Sequence, residues 1–343
     1  MAKVVDQFLI EDLSEIASNL SKVTHELQNT KIMILGGTGF IGSWLTRSLL
    51  FLNREYELGI DLTLSTRDLK SAEAKFSYWG RDSLKFIEMD LAKFNSIPLE
   101  GITHVIHGAT SSTKISGAGN SEQVFNSTVN GVKSIIHSKP FGGSAIKIVH
   151  LSSGAVYGRT NSEILKEIEI PTETNSSLTN YAQAKVEAER ILCEATSQEL
   201  VIGANPRLFA FFGPGLVMNE HFAIGNFLAD ALNKRKIFLS GNPATTRSYL
   251  YPTDLVTWIL QILINPVNRP IHVGSENAIS MMELAEKVNK LMNNQGIKAS
   301  NPEAEVNHYV PSTKETRKIY STTESVSLEE GLIRWIKFLE KSN

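Results

Sequence analysis

The sequence predicts an α/β protein built on a doubly wound parallel sheet, and three observations carry that expectation. Short apolar runs alternate with helical patterns through most of the chain. The first run, Lys31–Leu35, stops at Gly36-Gly-Thr-Gly-Phe-Ile-Gly42, and a helical pattern follows at Trp44, Leu45, Leu49 and Leu50. The length of 343 residues exceeds one ordinary domain of ~100–200 residues, so a second, smaller lobe is expected after the sheet.

The elements follow in order. Before the sheet, Leu9, Leu13, Ile16, Leu20, Val23 and Leu27 form a helical stripe, which either docks on the body of its own chain or serves an oligomer contact. After the first strand and helix come strands at Asp61–Ser65, Leu84–Met89 and His104–His107. A helix near Val124–His137 and a strand at Ile146–Leu151 come next. A long helix begins near Tyr181, and a strand runs through Val201–Phe212. Beyond Gly213-Pro-Gly215 the alternation weakens, with helical segments near Gly225–Asn233, Thr253–Ile264, Met281–Met292 and Leu328–Glu340. This divides the chain into three parts. Residues 1–30 are a helical extension and 31–212 a Rossmann-type nucleotide-binding domain. Residues 213–343 are mainly a substrate lobe, some of whose segments return to the sheet.

Composition narrows the class. With 34 Lys and Arg against 36 Asp and Glu the net charge is −2, without the basic footprint of a nucleic-acid or membrane-surface binder. A single cysteine, Cys193, can form neither an internal disulfide nor a cysteine zinc site, which suits a reducing compartment, and it reads as an inert buried thiol. No apolar stretch approaches the ~18–20 residues of a membrane span. Asp6, Glu11, Asp12 and Glu15 interrupt any signal-peptide core. A cytoplasmic protein is expected.

Gly36, Gly39 and Gly42 form a G-x-x-G-x-x-G turn between strand and helix. Glycines let the backbone approach a pyrophosphate, and the helix N-terminus turns free N–H groups and positive dipole toward it. The second strand ends in Ser65-Thr66-Arg67-Asp68, where an NAD-selective site would place a carboxylate on the ribose hydroxyls. Thr66 is uncharged, and the Arg67 fork suits a 2′-phosphate, so NADP is favoured with NAD possible; Arg67 could instead stack on adenine or pair with Asp68. Asp90-Leu91 ends the third strand, where a carboxylate reaches the adenine amino group. Tyr181 and Lys185 lie four apart and share a helix face. An ammonium there is expected to lower the phenol's pKa and make Tyr181 an acid or base near neutrality. Ser153, at a strand end, can bond the same substrate oxygen, and Lys185 can also hold the nicotinamide ribose. His107 reads as a satisfied strand-end histidine, and no metal site is indicated.

These motifs, together with Val105-Ile-His-Gly-Ala109, Ser152–Gly158, Arg207–Gly215, Arg247–Asp254 and Ser327-Leu-Glu-Glu-Gly331, occur in an order that resembles an extended short-chain dehydrogenase/reductase. The group resembled is the NAD(P)-dependent epimerases and dehydratases of nucleotide sugars, over about Lys31 to Glu340. The resemblance implies a catalytic set of Ser153, Tyr181 and Lys185. It implies a pyrophosphate cradle of Gly36, Gly39, Phe40, Ile41 and Gly42, with Ala109 and Ser111 on the nicotinamide side. It also implies a substrate diphosphate held by Arg247, with Asn226 either touching the nucleotide or lying on a helix surface. Relatives pair through two long helices, so a homodimer is implied.

Departures bear on the reaction. Nucleotide-sugar 4,6-dehydratases carry acidic residues after the catalytic Ser or Thr, whereas Gly154-Ala155 can move no proton, which disfavours dehydration. Thr128 stands where relatives usually have Asn, with Asn126 and Asn130 as possible substitutes. Ala210 stands where many relatives have an Asn that contacts the sugar phosphate. The implied activity is hydride transfer at C4 of a nucleoside-diphosphate sugar, by a 4-keto reductase or a 4-epimerase. The alternatives are an NADPH-dependent ketone reductase on a non-nucleotide substrate and a non-catalytic cofactor-sensing protein.

Overall fold

A computed structural model describes residues 7–80, 82–93, 96–109, 121–138, 145–159, 162–167, 178–218 and 222–342. The chain divides into two compact units. The first comprises Met1–Gly158, Ile170–Leu208 and Val256–Ile271; the second comprises Arg159–Glu169, Phe209–Leu255 and His272–Asn343. The extension at 1–30 is therefore part of the first unit, and the chain leaves that unit at Leu208, before the expected 212/213 divide. Segments on both sides of that divide cross over: 159–169 belongs to the second unit and 256–271 to the first.

The first unit opens with α1 (Ile10–Leu20) and a single 3-10 turn at Thr24–Leu27. The expected stripe is thus broken at Ser21–Val23. Leu9, Leu13, Ile16, Leu20 and Leu27 are nevertheless all buried. They pack with α2, and Tyr56 Oη donates to Ala17 O at 3.2 Å. The stripe docks on its own chain.

β1 (Lys31–Leu35) leads through the glycine turn to α2 (Phe40–Tyr56). Then follow β2 (Asp61–Thr66), α3 (Leu69–Lys75), β3 (Leu84–Glu88) and β4 (His104–His107). A short helix α4 (Ser121–Phe125) continues through a π turn at Asn126–Asn130 into α5 (Gly131–His137). β5 (Lys147–His150), β6 (Ser152–Ser153), α6 (Asn180–Ser197) and β7 (Ile202–Leu208) complete the series. Sheet order is β10-β7-β5-β4-β1-β2-β3, with β6 pairing β7; β10 is Pro270–Val273. The registers from β3 to β7 are parallel, as in Ile34 opposite Leu64 and Ile106, and Val149 opposite Ala204. Ile32–Leu35 are buried without alternation because helices cover both faces of such a sheet. The observed order reverses direction after β1, so β1 and β4 flank a topological switch point, where ligands of open α/β sheets bind.

In the second unit, α7 (Ala223–Leu232), β8 (Ile237–Leu239) and β9 (Thr246–Arg247) precede α8 (Pro252–Ile264), which runs into the first unit. β11 (Ile279–Ser280), α9 (Met281–Leu291), β12 (Ile297–Ala299), β13 (His308–Tyr309), α10 (Lys314–Tyr320) and α11 (Leu328–Ser342) follow. β11-β9-β13 form one small sheet, and β12-β8 another. Two buried carboxylates organise this unit. Asp254 accepts from Ser325 N, Ser325 Oγ and Val326 N. Glu167 accepts from His272 N and from Glu315 N and Thr316 N, at the free end of α10. Among the described residues, no helix is long and apolar enough to cross a membrane.

Candidate active site

The glycine turn is built for close approach. Gly36 has φ +89°, and a Cβ there would lie 2.8 Å from Ala109 N, so the turn abuts the end of β4. A Cβ at Gly42 would lie 2.2 Å from Gly36 O. Gly39 is different, because a Cβ there would meet only Gly36 O, at 3.5 Å. The fold itself leaves room for a Cβ at 39, so the bare backbone there is open to close approach. α2 starts at Gly39 with no side-chain cap and no acidic residue in its first turn, leaving its positive end for an anion. The cradle therefore fits a dinucleotide pyrophosphate. Lys75, which sequence reasoning missed, reaches from α3 to donate to Thr38 O in this turn at 2.7 Å.

A cavity of about 440 Å³ is lined by Arg67, Glu88, Met89 and Asp90. Arg67 is exposed. It does not pair with Asp68, whose carboxylate caps α3 by accepting from Ser71 N at 3.0 Å. Asp90 lies in the cavity wall while accepting from Ala92 N at 3.2 Å. The side chain of Leu91 is buried in the core with Met33, Leu35 and Ile97, so a contact with a cofactor there would run through its backbone. Ser111 lies outside the described residues.

Ser153, Tyr181 and Lys185 come together in the first unit. Ser153 begins a single 3-10 turn, Gly154–Tyr157, and its Oγ accepts from Ala155 N at 3.1 Å. Thr179 caps α6 by accepting from Ala182 N at 3.2 Å, which sets Tyr181 in the first helical turn. Tyr181 and Ser153 are hydrogen-bonded. Lys185 Nζ donates to Leu151 O at 2.6 Å and lies 5.7 Å from the Tyr181 ring centroid. The expectation that this ammonium lowers the phenol's pKa is not met. Burial pushes Tyr181 above its ordinary value, with the Ser153 bond pulling the other way. Lys185 is itself brought down by burial to about 7, against the opposing charge of Glu189.

His107 and His150 stack beneath this group at the ends of β4 and β5, Nδ1 to Nδ1 at 2.9 Å. Burial, with Lys185 nearby, brings His107 down to about 3 and His150 well below its ordinary value, so both are neutral. Thr128 is fully buried in the π turn that packs on α6, and Asn130 Nδ2 donates to Asn126 Oδ1 at 3.4 Å. Among the described residues no group of three His, Cys, Asp or Glu could hold a metal ion.

A buried network behind Ser153 also escaped the sequence reading. Glu189 accepts from Arg207 Nε at 3.0 Å, from Arg207 Nη2 at 2.7 Å and from Ser152 Oγ at 2.5 Å. Arg207 Nη1 donates to Tyr157 Oη at 2.7 Å. The available signal was spacing, since Glu189 follows Lys185 by the same helical step that separates Lys185 from Tyr181.

In the second unit, Arg247 Nη1 donates to Thr246 O at 2.8 Å and to Asn307 O at 3.1 Å. The guanidinium carbon sits 5.7 Å from the Tyr309 ring centroid. Among the described residues its hydrogen bonds run through Nη1, which leaves Nε and Nη2 for a ligand. Burial lowers its pKa, and the anionic forms of Tyr249 and Tyr309 would oppose this. Asn226 lies half-buried on α7.

Similarity to known proteins extends over most of the chain. The model of the NAD dependent epimerase/dehydratase family matches residues 32–274. UDP-glucuronic acid decarboxylase 1 of Xenopus tropicalis is 23% identical over 330 residues, covering 93% of this chain and 74% of that one. Among solved structures, a UDP-N-acetylglucosamine 4-epimerase from Methanobrevibacter ruminantium M1, in complex with UDP-N-acetylmuramic acid, superposes with a TM-score of 0.78 at 19% identity, covering 92% of this chain and 100% of that one. A UDP-glucuronic acid 4-epimerase from Bacillus cereus, in complex with UDP-glucuronic acid and NAD, gives 0.75 at 20% identity, covering 92% and 100%.

Proposed function

The chain belongs to the NAD dependent epimerase/dehydratase family, and from that premise we propose that it is an NAD(P)-dependent enzyme moving hydride at C4 of a nucleoside-diphosphate sugar. The observation that carries this reading is the meeting of Ser153, Tyr181 and Lys185 in the unit that holds the glycine cradle. Gly36, Gly39 and Gly42 with the N-terminus of α2 hold the pyrophosphate, and Lys185 holds the nicotinamide ribose. The bound cofactor supplies or accepts the hydride. Tyr181 Oη moves the proton at the sugar's 4-oxygen, and Ser153 Oγ bonds the same oxygen and fixes its direction. Gly154 and Ala155 carry no group able to move a proton, so the arrangement does not support 4,6-dehydration.

One feature favours a 4-keto reductase over a 4-epimerase. Arg67 stands free of Asp68 at the ribose cavity and suits the 2′-phosphate of NADPH. Incubation with NADPH and a UDP-4-keto sugar is expected to consume both in equal amounts. Tightly bound nicotinamide and interconversion of 4-epimers without net NADPH loss would establish the epimerase instead.

Arg67→Ala is expected to weaken NADPH binding about tenfold or more, the worth of a charge-assisted hydrogen bond, while NADH binding stays within twofold. Equal losses for the two cofactors in a fluorescence titration would remove Arg67 from the 2′-phosphate. Arg247→Ala is expected to raise KM for the nucleotide sugar about tenfold or more, through its loss of a bidentate anion contact. An unchanged KM would remove the diphosphate assignment and favour a non-nucleotide ketone.

A further inference from the structure

We propose that Glu189 is a positioning residue for Lys185, its carboxylate fixed by Arg207 and Ser152 as a negative charge one turn of α6 beyond the lysine. This rests on the assignment of Lys185 to the reaction. The geometry begins with register. Ser152 sits opposite Arg207 in the β6–β7 pairing, so the guanidinium rises beside the strand end that carries Ser153. From there it takes both oxygens of Glu189, at 3.0 and 2.7 Å, and it binds Tyr157 at the far end of the Ser153 turn. The same carboxylate takes the Ser152 hydroxyl. One turn earlier on α6, Lys185 takes Leu151 O. Consecutive turns of one helix therefore grip consecutive residues, Leu151 and Ser152, immediately before the catalytic serine.

A buried ion pair of this kind adds little stability over a well-packed apolar pair, so its presence calls for another explanation. The surroundings of Lys185 supply one. His107 from β4 and His150 from β5 face it and are neutral. Tyr181 on its own helix and Tyr157 from the 3-10 turn are phenols, and the Cys193 thiol one turn beyond Glu189 is raised by burial. Arg207 from β7 is a cation. Among the described residues Glu189 is the carboxylate acting on Lys185, and it opposes the burial that brings the lysine down to about 7. A carboxylate free to rotate would satisfy Arg207 or Ser152 alone. Holding all three bonds fixes where the charge lies.

The test reads Lys185 directly in the full-length protein without added cofactor or substrate. Lysine is labelled with ¹³C at Cε, the signal is assigned by its loss in Lys185→Met, and its shift is followed against pH. In wild type the midpoint is expected near 7. In Glu189→Gln it falls by about one pH unit or more, toward the range of 5–6 known for buried lysines without a counter-charge. Because Glu189→Gln strands the Arg207 charge, the double variant Glu189→Gln/Arg207→Met is measured beside it and is expected to show the same fall. A midpoint in either variant equal to that of wild type overturns the proposal, leaving the network a structural tie. A wild-type midpoint already at 5–6 overturns it without any variant. No turnover enters this measurement, so its failure is distinguishable from failure of the functional assignment, which Tyr181→Phe tests.

Discussion

Tyr181→Phe should lower kcat by about 10²–10⁴, the range for removing a positioned general acid, while cofactor affinity stays near that of wild type. The phenol is the proton donor assigned to the sugar's 4-oxygen, and the variant removes only the hydroxyl and its bond to Ser153. Phenylalanine therefore keeps the packing, and the residual rate comes from binding and orientation alone. The assay is NADPH consumption with a UDP-4-keto sugar, alongside fluorescence titration of the cofactor. Full activity in the variant would sink the catalytic assignment, since no second proton donor is assigned to the reaction. The pH dependence has a definite sign. Tyr181 is raised by burial and stays protonated through neutrality, whereas Lys185 loses its proton near 7. Activity that requires the ammonium therefore falls as pH rises through about 7.

Gly42→Ala should abolish cofactor binding and lower stability together. Its Cβ would lie 2.2 Å from Gly36 O and 2.8 Å from Gly37 Cα, and backbone atoms cannot step aside as a flexible side chain can. Overpacking of this kind costs about 1–3 kcal/mol, and the turn must open to relieve it. Gly39→Ala is the control. With its nearest neighbour at 3.5 Å, the unliganded fold accepts the methyl, so the melting temperature should hold while NADPH affinity falls. Calorimetry and fluorescence titration on the two variants separate the two glycines' roles. A Gly39→Ala protein that binds NADPH as well as wild type does would contradict the cradle.

Much of this was legible in the chain because it depends on local pattern. The apolar runs at Ile32–Leu35 and Val105–Ile106 mark buried parallel strands whatever surrounds them, and the glycine spacing marks a turn that opens a helix. The step from Tyr181 to Lys185 places both on one face of a helix. Less was visible beyond Phe209. The strands β9, β11 and β13 have two residues each, too few to show a period of two, and they form only because partners distant in sequence arrive beside them. The helical stripe from Leu9 to Leu27 was legible as apolar, but its break at Ser21–Val23 and its seat on α2 were not.

The sequence by itself determined the parallel sheet and the glycine turn, since each follows from residue type and spacing along the chain, and its family resemblance pointed to the three side chains proposed as catalytic. Only the tertiary structure decided their chemical state. Burial raised the Tyr181 phenol and lowered the Lys185 ammonium, the reverse of the lysine-controlled phenol expected from spacing alone. It also placed Leu91 in the core and joined Glu189 to Arg207 and Ser152 across helix and sheet. A side chain's charge depends on everything that displaces water from it, and those groups come from strands and helices far apart in the chain.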